Sequence, residues 1–187
     1  MPRRSDARQK MILSQALLQR ERGVAGTALP DVLEHSGAPR GSIYHHFPHG
    51  RAQLAEEATV WASGFIAKRL EASLADGDVL ATLDTFVADW RAVLRDSDFA
   101  AGCPVVAGAL DDTTRRAAAD GFKRWEQLLT DALTSAGLPG SRAEATAVMF
   151  IASIEGALVL SRAEGTTRPL ERTADQLRQH LEHELAA

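Results

Sequence analysis

The chain has 187 residues, of which 45% are hydrophobic and 25% charged. This composition suits one or two compact units with a real core and excludes a long disordered polymer. The net charge of −4 would argue against a nucleic-acid partner, but residues 1–52 hold eight Lys and Arg against four Asp and Glu, so the amino-terminal part is basic.

The first predicted helix covers residues 5–22, where apolar side chains recur at helical spacing. Those that would pack on the following helices are Met11, Ile12, Ala16 and Leu18. Four basic residues precede or open this helix: Arg3, Arg4, Arg8 and Lys10. A basic arm of this kind commonly contacts phosphate or the minor groove, and an ordinary solvated terminus is the alternative for Arg3 and Arg4.

Residues 27–51 predict two short helices joined by a Gly-containing turn, the pattern of a helix-turn-helix. Thr27 is the predicted N-cap of the first helix, and Ser36-Gly37 ends it. Pro39 suits the first position of the second helix, which is predicted over residues 39–46.

The second of these helices has an apolar and a polar side. Ile43 and Phe47 are predicted to face inward, and Gly41 would let the helix press closely into a groove. The predicted outward side chains are Arg40, Ser42, Tyr44 and His45. Arginine can bind a guanine edge and the others can reach bases or phosphates. An ordinary helical hairpin with a solvated polar face has the same spacing and remains an alternative.

The segment from about residue 8 to residue 57 resembles the N-terminal domain of the TetR family of bacterial transcriptional repressors. The resemblance rests on Thr27, the turn Ser36-Gly37-Ala38-Pro39 and above all the run Gly41-Ser42-Ile43-Tyr44-His45-His46-Phe47. Val24 departs from the aromatic residue that the family more often has, which bears on local packing. By this resemblance Arg51 contacts phosphate. The predicted DNA-binding residues are Thr27, Arg40, Gly41, Ser42, Tyr44, His45 and Arg51.

Helix is expected nearly throughout the rest of the chain, so the predicted fold class is all-α. A three-helix helix-turn-helix domain would cover residues 1–50, and a larger helical effector-binding and dimerisation domain residues 51–187. A fourth helix over residues 51–75 is long enough to leave one unit and enter the next. Further helices are predicted over residues 79–95, 103–110, 113–136, 141–163 and 170–185. The phrase Gly102-Cys103-Pro104-Val105 resembles a subgroup of TetR-type regulators with related ligand-binding domains.

The helix over residues 141–163 is apolar on two faces, which calls for two partners. One face carries Val148, Ala152 and Val159. The other face, with two leucines of the last helix, forms the predicted dimer interface: Ala147, Ile151, Ile154, Leu158, Leu177 and Leu181. TetR-like proteins dimerise through such a four-helix seam, so the resemblance implies a homodimer. Burial of both faces inside a monomer is the alternative.

Aromatic and soft side chains on several helices could converge on a cavity for a small apolar or aromatic effector. The predicted ligand-binding residues are Trp61, Phe65, Phe86, Trp90, Cys103, Trp125, Met149 and Phe150; each also fits an ordinary core. Glu155 interrupts an apolar stretch and is expected to form a structural pair, because an unpaired buried carboxylate is costly. Cys103 is the single cysteine, which excludes an intrachain disulfide, and it fits a buried side chain better than a redox sensor.

Together these features predict a cytoplasmic repressor that a ligand releases from a palindromic DNA operator. The most apolar run, residues 145–160, is too short and too polar to span a bilayer, so no membrane partner is expected. The enzyme alternative rests on His45, His46 and His49, which lack a fixed acidic partner, and no motif predicts a metal or a cofactor. A helical interaction module that no longer binds DNA is the other alternative.

Overall fold

The computed structural model describes the backbone of residues 4–186 and every side chain of that range except those of residues 4, 5 and 40. Nine α-helices lie in this range: α1 (Arg4–Arg22), α2 (Leu29–Ser36), α3 (Ile43–His46), α4 (Gly50–Ser73), α5 (Val79–Asp96), α6 (Pro104–Ala109), α7 (Arg115–Ser135), α8 (Gly140–Glu164) and α9 (Arg168–Ala186). No strand occurs among the described residues. The predicted all-α fold is confirmed.

Local chemistry fixes the ends of the helices. Gly37 follows α2 with a φ of 69°, a left-handed conformation that glycine adopts at low cost. Asp78 caps α5, because its carboxylate accepts a hydrogen bond from the Ala81 amide at 2.9 Å. For the helices α4, α5, α7, α8 and α9, the predicted first and last residues lie within two positions of the observed ones.

The helix-turn-helix segment differs from the prediction in two places. Thr27 is not the N-cap of α2, because Ala28 holds that position and no side chain caps the helix. The Thr27 hydroxyl is buried and donates to the Gly23 carbonyl at 2.8 Å. The second helix is also shorter than predicted, since a 3-10 turn over Arg40–Ser42 replaces its first turn.

The chain divides into two compact units. The first unit contains Met1–Phe65 and Cys103–Gly121, and the second contains Ile66–Gly102 and Phe122–Ala187. Both α4 and α7 therefore contribute residues to each unit. The boundary that the sequence predicts between residues 50 and 51 separates a DNA-binding domain from an effector-binding domain. That division by function stays a prediction.

Buried amides and a close glycine contact join α1, α4 and α6 in the first unit. The Gln19 amide donates to the Thr59 hydroxyl at 3.1 Å and to the Pro104 carbonyl at 3.0 Å. A Cβ at Gly108 would lie 2.8 Å from the Thr59 methyl carbon, so glycine lets α6 approach α4 this closely. Because buried amides are costly unless they are paired, these bonds fix α6 at one place on α1 and α4.

Helix α8 buries the face that was expected to meet a second subunit. Five of the six predicted interface residues are buried within the second unit: Ala147, Ile154, Leu158, Leu177 and Leu181. The predicted dimer interface is therefore wrong in its choice of face, because these side chains form the unit's own core. The opposite face is the exposed one, with Val148 at 49% and Val159 at 54% exposure.

Helix α8 alone among the described helices is long and apolar enough to cross a membrane by length and composition. It extends beyond the apolar run of residues 145–160 on which the sequence prediction was based. Core helices pass the same test, and the buried face of α8 together with its apolar exposed face accounts for the composition.

Candidate functional site

The segment formed by the 3-10 turn and α3 presents polar groups to solvent. Tyr44 is 66% exposed, and His45 and Gly41 are exposed beside it. Ser42 is half-buried, and its hydroxyl donates to the Pro39 carbonyl at 2.7 Å. The side chain of Arg40 lies outside the described residues. Four of the seven predicted DNA-binding residues are thus brought together at one surface.

The inner side of α3 is held by the two predicted apolar residues. Ile43 and Phe47 are both buried, Phe47 completely. The Phe47 amide donates to the Ile43 carbonyl at 2.8 Å. These two buried side chains therefore anchor α3 in the core of the first unit, and its polar side chains lie on the outer side.

Arg51 lies at the start of α4 with an exposed side chain. It donates to the Val24 carbonyl at 2.6 Å, and a guanidinium has further donors for a phosphate. Arg51 also acts on Asp111, in the loop after α6. The Thr113 hydroxyl is the main cause of the lowered pKa of Asp111, and the charge of Arg51 lowers that pKa further. Thr27 is buried, as described above, and therefore is not part of this exposed surface.

Two of the four basic arm residues have partners within the first unit. Arg8 pairs with Glu57 and lies over the ring of Phe47. Lys10 pairs with Asp6 at 3.2 Å on the same helix. Arg3 and the side chain of Arg4 lie outside the described residues.

The second unit contains a small apolar cavity of about 10 Å³, which is room for about one water molecule. Three predicted ligand-binding residues line it: Phe86, Trp125 and Phe150. The rings of Phe86 and Phe150 meet edge to face with their centroids 6.4 Å apart. The remaining lining residues are Leu70, Leu129, Ile151, Ile154 and Glu155. Glu155 is the one charged residue in this lining.

The other five predicted ligand-binding residues lie elsewhere. Trp90 packs edge-on against a lining phenylalanine, with centroids 6.4 Å apart. Met149 lines a separate groove between α8 and α9. Trp61 and Phe65 stack on each other at 5.6 Å in the first unit, and Cys103 is buried in that unit. The prediction therefore combined residues of two different units.

Of the other five lining residues, two have no predicted role, Leu70 and Leu129, and three are predicted for other roles, among them Glu155 for a structural pair. Leu129 follows Trp125 by one helical turn, a spacing that could have identified it. Leu70 has no such local signal. Ile151 and Ile154, predicted for the dimer interface, line the cavity instead.

The exposed face of α8 carries small or apolar residues at spacings of three and four, which place them on one side of the helix. This stripe contains Ala145, Val148, Ala152, Gly156, Val159 and Ala163. Next to it lies an open groove of about 430 Å³, lined by Met149, Ser153, Arg172, Thr173, Gln176, Leu177 and His180. The second unit therefore presents a row of exposed small and apolar residues on α8 beside an open groove that contains both apolar and polar side chains.

The histidine cluster that favoured an enzyme has no metal-binding arrangement. The rings of His45 and His46 meet edge-on with centroids 5.1 Å apart. Within residues 4–186, no group of three or more His, Cys, Asp and Glu side chains is placed to hold a metal ion.

Comparisons with known proteins match both parts of the chain. Residues 15–58 match the family of bacterial regulatory proteins, tetR family, and residues 79–176 match the C-terminal domain of LmrA/YxaF-like transcriptional regulators. The chain is 41% identical over 188 residues to an uncharacterized HTH-type transcriptional regulator of Mycobacterium tuberculosis, with 95% of each chain covered. It is 29% identical to the HTH-type transcriptional regulator LmrA of Bacillus subtilis, covering 88% of this chain and 91% of that one.

Solved structures agree in fold. The regulatory protein TetR from Rhodobacter sphaeroides superposes with a TM-score of 0.81 at 24% identity, covering 93% of this chain and 98% of that one. A TetR transcriptional regulator from Chloroflexus aurantiacus gives a TM-score of 0.75 at 26% identity, with 96% of each chain covered. The matched family and relatives are transcriptional regulators and not enzymes, as the sequence predicts.

Proposed function

The chain belongs to the TetR family of bacterial transcriptional regulators, and on that premise we propose that it is a homodimeric repressor released from a palindromic operator by a small molecule. The observation that carries this is the exposed Tyr44 and His45 on a short helix seated by the buried Ile43 and Phe47. A short, firmly seated helix with a polar outer side can enter a major groove. Such a repressor acts in the cytoplasm, where its DNA is.

The proposed contacts divide into base reading and phosphate binding. Arg40 is assigned to a base edge, because a guanidinium can form two parallel bonds to guanine. Tyr44, His45 and Arg51 are assigned to phosphates, which set the register of the helix on the duplex. A direct DNA contact by Thr27 stays a prediction, and its burial favours a supporting role inside the first unit.

The proposed dimer forms through the exposed stripe of α8. Alanine, glycine and valine are small residues, which lets two helices approach closely. A twofold axis brings the same stripe from each subunit together. Exposed Val148 and Val159 would then be removed from water. Two reading helices related by this axis would bind two half-sites at once, so a palindromic operator is expected.

The proposed effector site is the cavity around Phe86, Trp125 and Phe150. Its aromatic and aliphatic lining favours a small apolar or aromatic compound. Because a ligand-sized site needs on the order of 300 Å³, the cavity must expand for the effector to bind. A ligand that binds only the expanded state would draw the population away from the conformation that fits the operator.

Fluorescence anisotropy tests the DNA-binding role. The protein is titrated onto duplexes from around its own gene and onto a shuffled duplex, at two salt concentrations. We expect preferential binding that weakens steeply with salt, since neutralised phosphates release counterions. Equal binding to both duplexes would refute a sequence-specific regulator and favour the interaction module.

A second titration tests the effector role. Compounds that quench or shift tryptophan fluorescence are added to the complex of protein and operator. We expect a bound compound to release DNA, and unchanged operator affinity with a tightly bound compound would contradict the proposed coupling.

A further inference from the structure

Helix α3 is too short to set its own direction. It has four residues, Ile43–His46, and follows a 3-10 turn of three. Isolated helices of this length are unstable in water. Its orientation therefore depends on how its neighbours hold Phe47, the buried residue at its end.

One side chain of α1 lies over Phe47 and reaches α4. The guanidinium carbon of Arg8 is 5.0 Å from the centroid of the Phe47 ring, and the same guanidinium donates to the Glu57 carboxylate. Glu57 accepts a hydrogen bond from the Gln53 amide at 3.0 Å. Gln53 in turn accepts one from the backbone N–H of His49 at 3.1 Å. These contacts, the Arg8 clamp, join α1, the end of α3 and the turn before α4.

We propose that Arg8 is a positioning residue that sets the direction of α3 for DNA by holding Phe47 and Glu57, and that it does not bind phosphate itself. This rests on the proposed function as a DNA-binding regulator. The charge of Arg8 is balanced by the Glu57 carboxylate, and one face of its guanidinium lies on the Phe47 ring, so its position is set by these two contacts although the side chain is 40% exposed. The sequence places Arg8 among the basic arm residues, whereas the structure gives it partners inside the first unit.

Tyr44 provides a probe of the clamp that does not need DNA. It is the single tyrosine of the chain, and it lies on α3. Its ring carbon Cε1 is 3.5 Å from where a Cβ of Gly50 would be, at the start of α4. Incorporated 3-fluorotyrosine therefore gives one fluorine resonance that reports the geometry between α3 and α4.

Three variants separate positioning from phosphate binding. Arg8→Met removes the charge and keeps a long side chain, and Glu57→Gln removes the charge of its partner. Lys10→Met is the matched control, because it removes one positive charge from α1 at a residue paired only along its own helix, with Asp6. Thermal melting by circular dichroism shows which variants are folded.

If Arg8 positions α3, Arg8→Met shifts the Tyr44 fluorine resonance and lowers operator affinity roughly tenfold, while the salt dependence of binding keeps its slope. Glu57→Gln shifts the resonance in the same direction and also lowers affinity. The direction of the change in DNA affinity in Glu57→Gln distinguishes the two roles, because removing a negative charge near DNA would by itself raise affinity. Lys10→Met leaves the resonance in place.

The opposite pattern would overturn the assignment. An unmoved resonance in Arg8→Met, a salt slope reduced by about one and a gain of affinity in Glu57→Gln would make Arg8 a phosphate contact in a working regulator. A wild-type protein that binds no DNA would refute the proposed function, and the fluorine shifts of the three variants would still decide whether the clamp exists. If Arg8→Met does not fold, Glu57→Gln against Lys10→Met makes the same comparison.

Discussion

Replacing the two exposed valines of α8 tests where the subunits meet. Val148 and Val159 are 49% and 54% exposed in the single chain. Full burial of a valine side chain contributes about 1.5–3 kcal/mol, so the exposed half of each contributes about 1 kcal/mol. Two valines in each of two subunits give about 4 kcal/mol, which corresponds to a roughly thousandfold change in the dimer dissociation constant.

The double variant Val148→Ser, Val159→Ser is compared with the wild type by sedimentation equilibrium. Val60→Ser is the matched control, because Val60 is also 54% exposed but lies on α4 in the first unit. We expect the double variant to dissociate into 20.1 kDa subunits at concentrations where the control remains dimeric. Equal dissociation constants for the two variants would refute the assignment of the stripe to the interface.

Three further predictions concern packing, DNA contacts and pH. Gly108→Ala should lower the free energy of unfolding by about 1–3 kcal/mol, because its Cβ would lie 2.8 Å from a threonine methyl. Gly64→Ala, whose Cβ would meet nothing within 4 Å, should instead raise it by about 0.5–1 kcal/mol; urea denaturation compares the two. Arg40→Ala should cost about 1–3 kcal/mol on the operator and little on random DNA, whereas Arg51→Ala should weaken both alike; proportionate losses for both variants in anisotropy titrations would contradict this division. The pKa of Asp111 is lowered, chiefly by a threonine hydroxyl, so its contact stabilises the fold above the ordinary pKa of 3.8 and is lost as the pH falls through the lower pKa of the folded state. The difference in stability between wild type and Asp111→Asn should therefore be largest near neutral pH and shrink in acid; a difference that does not change with pH would contradict it.

Helix positions could be predicted because their signals are local. The bounds of α5 and α8 follow from apolar periodicity and from residues such as Asp78 and Gly165, whose preferred conformations end or begin helices. The face of α8 could not be predicted by the same means, since both faces are apolar. Side-chain size does not separate the faces either, because the small Ala147 is buried with Ile154 and Leu158 while the larger Val148 and Val159 are exposed.

Long-range partners account for most of what the sequence did not reveal about the site. Arg8 and Glu57 are 49 positions apart, so nothing local distinguishes a basic arm residue from one that packs on Phe47. The cavity shows the same limit. Aromatic composition selected Phe86 and Phe150, which line the cavity, but it also selected Trp61 of the first unit, because composition carries no information about which unit a residue joins.

The first unit consists of two separate stretches of the chain, so it can be completed only after the second stretch has been synthesised. Gln19 and Pro104 share a hydrogen bond although they are 85 positions apart, and residues 66–102 between them belong to the other unit. Contacts of this separation form late compared with local helices. The helix-turn-helix thus leaves the ribosome before α6 exists to cover the Gln19 amide. A nascent or proteolysed chain ending near Phe65 would keep that amide without its carbonyl partner and would be more easily degraded than the full-length protein.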